Sequence, residues 1–117
     1  MKVLNISAVT LHVSEMKSSV EFYNKIPGLE MLYGGSEAKF TSYKLGKCFF
    51  NLEESTHVNS NWGRVILYCD DVDEVNRILK NNGLTPPSPR NASWGERFFH
   101  LHDPDGNEIS FAQPLKI

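Results

Sequence analysis

Neither sign of charge prevails in this chain. Its 12 Lys and Arg stand against 14 Asp and Glu, a formal net charge of −2. No basic field is present to hold a nucleic acid, so none is expected as a partner. Also missing is any run of about 18 apolar residues, the length a membrane-spanning helix needs. The opening stretch MKVLNISAVTLHV mixes Asn5, Ser7, Thr10 and His12 into its apolar residues. That is a strand pattern, unlike the unbroken apolar core of a signal peptide. Cysteine is scarce: Cys48 and Cys69 make neither a CxxC pair nor a disulfide framework. A reduced, cytoplasmic setting is expected, with both thiols free and buried in apolar strand-like runs. No linker is visible either. The one loop-rich stretch, GLTPPSPRNAS at 83–93, is too short to separate domains. The 117 residues therefore read as one compact domain with a real core.

What is present is an internal repeat. VTLHVSEMKSSVEFY at 9–23 aligns with VILYCDDVDEVNRIL at 65–79, an offset of 56 residues. Each copy begins as an alternating strand and passes through small or acidic residues into an amphipathic helix. Ser14 is the expected N-cap of the first helix, and Asp71 with Glu74 a capping-box variant for the second. Glycine signals follow both helices at 27–28 and 81–83. A β-rich stretch comes next in each copy. The first holds a hairpin turning at Gly46-Lys47. The second holds one turning through Asp103-Pro104-Asp105-Gly106, where Gly106 needs a positive φ. Prolines 86, 87 and 89 reduce the second copy's first post-helix strand to an irregular edge. The fold class is thus α+β. Two tandem βαβββ modules, about 1–55 and about 62–114, are expected to form a curved mixed sheet.

Three segments carry a resemblance: VTLHVSEMKSSVEFYNKIPGLEML (9–32), WGRVILYCDDVDEV (62–75) and WGERFFHLHDPDGNEISF (94–111). They resemble the vicinal oxygen chelate superfamily of glyoxalases, extradiol dioxygenases, fosfomycin-modifying enzymes and bleomycin-binding proteins. The resemblance implies metal-ligand positions in the metal-dependent members, and this chain departs from them. Where those members place two histidines and a glutamate, it has Ala8, Arg64 and Ser110. Where glyoxalase-like members add a carboxylate it has Asn51, with Glu53 the alternative two residues on. Alanine and a guanidinium cannot ligate a divalent ion, and a serine hydroxyl does so poorly. No metal and no cofactor are expected. An alternative set of His12, His100 and His102 would need a site shifted from the motif.

Alternation along the strand before the turn sets Phe98, His100 and His102 on one face, with Arg97, Phe99 and Leu101 on the other. His100 is the pocket candidate and His102 the rim residue. The expected ligand-binding residues are Thr10, His12, Asn51, Arg64, Tyr68, Phe98, His100 and Ser110, lining a cleft with Ala8. Arg64 is expected either to grip an anionic ligand or to pair with Glu53. Plain structural readings apply elsewhere. Asp103 and Asp105 form the turn, Glu108 is solvated, Arg97 pairs with a local carboxylate, and Trp62 and Trp94 pack, an aromatic wall for a planar ligand being their alternative. His57 is exposed, and Arg90 is solvated rather than placed over a pocket mouth. The chain reads as a metal-free protein binding a small organic anion or an amphipathic aromatic compound. The alternative is a lyase, isomerase or dioxygenase, metal-dependent or with His100 or His12 as base and Arg64 stabilising an oxyanion. Open sheet edges and uncovered faces point to a homodimer.

Overall fold

The computed structural model describes residues 1–115. Its elements are β1 (Ala8–Val13), α1 (Met16–Tyr23), β2 (Glu30–Tyr33), β3 (Phe40–Leu45), β4 (Cys48–Glu54), β5 (Arg64–Tyr68), α2 (Val72–Asn81), β6 (Arg90–Asn91), β7 (Glu96–His102) and β8 (Glu108–Pro114). Each half is therefore β-α-β-β-β, the α+β class the repeat predicts. The chain divides into two compact units. One comprises residues 1–24 and 28–59; the other begins at Ser60 and takes in Lys25–Pro27.

In the first unit the strand order is β1-β4-β3-β2. β1 pairs with β4 in parallel, Thr10 opposite Asn51, and β3 pairs with β4 antiparallel, Ser42 opposite Asn51. Alternation sends Leu11, Val13, Tyr43, Phe50 and Leu52 to one face, where they bury with Met16, Val20 and Tyr23 of α1. The other face carries Ala8, Thr10, His12, Phe49 and Glu53, all exposed. The hairpin turns at Gly46-Lys47 as expected, with Leu45 opposite Cys48. The N-cap differs from expectation. It falls at Glu15, whose side chain makes no cap, and the Met16 N–H donates instead to Glu54 Oε2 at 3.0 Å. A carboxylate at the end of β4 thus satisfies a donor of the helix terminus, and Ser14 is not needed for it. The hydrogen bond from Lys39, followed by that from Met16, holds the Glu54 carboxyl below its usual range.

The second unit repeats the plan in the order β5-β8-β7-β6. β5 lies parallel to β8, Arg64 opposite Glu108 and Ile66 opposite Ser110; β7 lies antiparallel, His100 opposite Ser110. Phe99 and Phe111 stack at 4.8 Å in the core with Leu101, Ile109, Val72 and Leu79. Asp71 caps α2 by accepting from the Glu74 N–H at 3.1 Å, as the sequence predicts. The prolines leave β6 only two residues, Arg90 and Asn91. Gly106 takes φ +86° in the β7–β8 turn. Asp103 is buried there and accepts backbone N–H donors, as a turn former should. Both thiols are free, but half-buried rather than buried. Among the described residues no helix is long and apolar enough to cross a membrane.

Candidate functional site

α2 covers one face of the second sheet and leaves the other open. On that open face lies a cleft of about 460 Å³, lined by Arg64 and Ile66 of β5, Arg90 of β6, Phe98 and His100 of β7, and Ser110 and Ala112 of β8, with Trp94 and Glu96 at one side. The period of two in each strand brings these residues together. The parallel register that sets Ile66 beside Ser110, and the antiparallel one that sets His100 beside Ser110, converge β5, β8 and β7 on one spot.

Two arginines flank the cleft in different states. The Arg64 Nη1–H donates to Glu108 Oε2 at 3.0 Å. Arg90 lies with its guanidinium 5.0 Å from the Phe98 ring centroid, and no carboxylate pairs with it among the described residues. Trp94, Phe98 and His100 form a run of aromatic faces, with centroids 5.5 Å and 5.0 Å apart. The Glu96 carboxylate is held at both oxygens. Trp94 Nε1–H donates to one at 2.9 Å and the Tyr68 hydroxyl to the other. That second bond raises the Tyr68 phenol above its ordinary pKa. His100 Nδ1 and Ser110 Oγ are 2.6 Å apart.

Burial lowers the His100 pKa below its ordinary value. Glu108 opposes that shift, while Arg64, Arg90 and His102 add to it. The imidazole is therefore neutral at neutral pH. Because its folded pKa is depressed, the unfolded chain takes up this proton more readily. Stability from His100 is complete above the unfolded value and falls as pH drops below about 6.5. Urea unfolding between about pH 7 and pH 5 should show this slope, and His100→Leu should flatten it. Glu108, lowered chiefly by its hydrogen bond from Arg64, adds its own loss only at more acid pH. An unchanged slope in the variant would assign the pH response elsewhere.

Of the residues predicted from sequence, the structure gathers Arg64, Phe98, His100 and Ser110 around this cleft. Tyr68 stands on the same face of β5 and reaches its edge through Glu96. Thr10, His12 and Asn51 belong to the first unit. There Asn51 Nδ2–H donates to Thr10 Oγ1 at 3.2 Å, and His12 Nε2 lies 3.3 Å from Glu53 Oε1. Asn51 lines a smaller pocket of about 330 Å³ with Ala8, Ser42 and Phe49. Its Oδ1 is buried with no hydrogen-bond partner among the described residues.

Several readings need correction. Glu108 is an ion-pair partner rather than a solvated residue, with His102 Nε2 also 3.7 Å from its Oε1. Arg64 pairs with Glu108, not Glu53, because the parallel register sets the two side by side. Arg90 lies against the cleft wall on Phe98 instead of in open solvent. Trp94 is 66% exposed and lines the cleft, which departs from packing and leaves the aromatic-wall alternative. Trp62, also exposed, donates from Nε1 to Asn107 Oδ1 at 2.9 Å. Parity along β5 and β8 would have found Ile66 and Ala112. The pairing of Arg90 with Phe98 had no sequence signal. With the Arg64 and Glu108 side chains 50% and 28% exposed, Arg64→Ala should cost no more than about 1 kcal/mol in chemical denaturation. A loss several times larger would show that the carboxylate is left stranded out of water.

The donor set does not suit a divalent metal. The positions that resemble ligand sites hold Ala8, Arg64 and Ser110, the arginine is committed to Glu108, and the serine hydroxyl to His100. Among the described residues no three His, Cys, Asp or Glu side chains stand close enough together to hold an ion.

Comparison with known proteins agrees with this architecture. The trivalent organoarsenical cleaving enzyme of Bacillus sp. (strain MD1) is 32% identical over 112 residues, covering 88% of this chain and 69% of that protein. TnmS3, an antibiotic binding protein from Streptomyces sp. CB03234, superposes with a TM-score of 0.77 at 25% identity, covering 97% of this chain and 98% of its own. A bleomycin-binding protein complexed with bleomycin superposes with a TM-score of 0.76 at 20% identity, covering 95% and 98%. The family model described as Glyoxalase/Bleomycin resistance protein/Dioxygenase superfamily matches residues 5–111, and the chain belongs to that superfamily.

Proposed function

We propose that this chain is a metal-free small-molecule-binding protein, taking a small organic anion or an amphipathic aromatic compound in the cleft of its second unit. The observation that carries this reading is the cleft's composition: two guanidinium groups and a neutral imidazole set against Trp94 and Phe98. Such a cleft, mostly apolar with a few convergent polar groups, is of ordinary ligand size. Arg64, Tyr68, Phe98, His100 and Ser110 are the proposed contacts. Thr10, His12 and Asn51 are proposed to serve the corresponding face of the first unit, where the unpaired Asn51 oxygen offers an acceptor. The antibiotic-binding and bleomycin-binding relatives support a binder.

The organoarsenical-cleaving relative supports the alternative, an enzyme of the same superfamily. The thiols argue against carrying its substrate over. A soft trivalent arsenic centre favours thiolates. Neither cysteine lines the cleft, and burial pushes the Cys69 thiol up to about 11, so it stays protonated. Free thiols of this kind suit a reduced, cytoplasmic setting. We further propose a homodimer. Leu32, Tyr33 and Phe49 in the first unit, and Ile66, Tyr68 and Trp94 in the second, are large apolar side chains left exposed. Sedimentation at micromolar concentration should give twice the chain mass; a monomer would count against the assembly.

The binding reading is tested by a thermal-shift screen of acidic, neutral and cationic aromatic compounds, followed by backbone and imidazole NMR. Stabilising compounds should move the resonances of Phe98, His100 and Ser110. A screen in which no compound perturbs these residues would overturn it.

A further inference from the structure

The Ser110–His100 contact determines which imidazole nitrogen carries the proton. Ser110 is 3% exposed, and its hydroxyl has one partner among the described residues, His100 Nδ1 at 2.6 Å. If Nδ1 carried the hydrogen, the serine proton would be left buried without an acceptor, a costly arrangement. The hydroxyl therefore donates to Nδ1, and the hydrogen of the neutral ring sits on Nε2. In this state the lone pair of the ring is turned to Ser110, so His100 presents an N–H rather than a base to the cleft. It is instead a hydrogen-bond donor in a cleft it helps to line. Ser110, which lines the cleft floor and is 3% exposed, acts as a positioning residue for that donor.

Arg90 supplies the second donor. Arg64 is already paired with Glu108, and Glu96 is held by Trp94 and Tyr68, so neither charge is free to cancel or replace it. The Arg90 guanidinium lies over Phe98, whose ring also neighbours the exposed Trp94. A planar guanidinium grips a carboxylate in bidentate fashion, and flat aromatic faces take a flat ring. Resting on the reading of this cleft as a binding site, we infer that it selects a planar aromatic carboxylate, held by Arg90 and the Nε2–H of His100 with its ring against Trp94. Ser110 sets the imidazole tautomer that this requires.

Calorimetry on the full chain with 2-naphthoate, 2-naphthamide, cyclohexanecarboxylate and inorganic phosphate tests the selection. The naphthoate should bind at least about tenfold tighter than each of the others, since each lacks the carboxylate, the flat ring or both. Arg90→Gln and Trp94→Leu should each weaken naphthoate by about tenfold or more while leaving the melting midpoint nearly unchanged. In ¹⁵N spectra His100 should show a pyridine-like Nδ1 and a pyrrole-like Nε2, and Ser110→Ala should shift the population toward the other tautomer. Ser110→Thr, which keeps the hydroxyl, should restore it. Equal affinity for naphthoate and naphthamide, an Arg90→Gln variant that binds as well as the parent, or reversed ¹⁵N assignments would overturn the inference. If neutral or cationic aromatics perturb Phe98 and His100 while acids do not, this selection fails and the binding-site reading stands. If nothing perturbs them, both fail.

Discussion

Asp103→Ala is expected to lower the free energy of unfolding by about 3–5 kcal/mol, a large share of the stability of a small domain. The Asp103 carboxylate is 5% exposed and holds the β7–β8 turn from within. Its Oδ1 accepts from the N–H groups of Asp105 at 2.9 Å and Asn107 at 2.8 Å, and its Oδ2 from Asn107 Nδ2 at 3.0 Å. Asn107 is 1% exposed and passes the connection on, accepting from Trp62 Nε1. Removing the carboxylate strands two buried donors of Asn107 and a half-buried one of Asp105, which costs more than the net worth of the bonds themselves. The cleft should suffer too, because this turn sets the register that pairs His100 with Ser110. Urea denaturation of the variant checks the figure, with Asp103→Asn losing less because one acceptor remains. A loss below about 1 kcal/mol would show that water replaces the carboxylate at no cost.

Gly34→Ala is expected to cost about 3 kcal/mol or more, although the position is exposed and follows an edge strand. Gly34 has φ +99°, and a Cβ there would lie 2.5 Å from the Phe40 carbonyl oxygen and 2.6 Å from Thr41 Cα. Those are backbone atoms of β3 that cannot swing aside. The close approach follows the register shift between Met31 and Tyr33 in the β2–β3 pairing. Gly35 is the control. It also has a positive φ, +126°, but open space where its Cβ would go. Gly35→Ala should therefore cost only the backbone strain, about 1–2 kcal/mol. Thermal denaturation of the two variants side by side isolates the contact. Equal losses would mean that the chain opens at Gly34 without penalty.

Period-two alternation made much of the cleft legible in the sequence. It placed Phe98 and His100 on one face, and family position added Arg64 and Ser110. The repeat at offset 56 likewise gave both modules and the order of their elements, since each copy must build the same sheet and helix. What stayed hidden depends on register between distant strands. Glu108 looked solvated because nothing in the local sequence sets it beside Arg64; only the parallel β5–β8 pairing does. Arg90 looked solvated because a proline-broken segment gives no parity, yet its backbone pairs with Phe98. Ser14 read as a cap because serine suits that place locally. The donor was taken by Glu54, 38 residues away, which no window on the helix could show.

The strand order also governs how these units can form as the chain is made. In each sheet the strand made last, β4 or β8, lies inside, beside the strand made first. The Arg64–Glu108 contact spans 44 residues, and β5 has no strand neighbour until β8 arrives. During synthesis Ile66 and Tyr68 therefore emerge on an unpaired strand and wait there, open to wrong partners. The first unit can close once Glu54 is out, while the second is still being made. Both must pay for a long loop before any parallel pairing rewards it, which places this chain among the slower-folding proteins of its size. A stall or premature stop before residue 108 would leave β5 and β7 without the strand that joins them, and so no cleft at all.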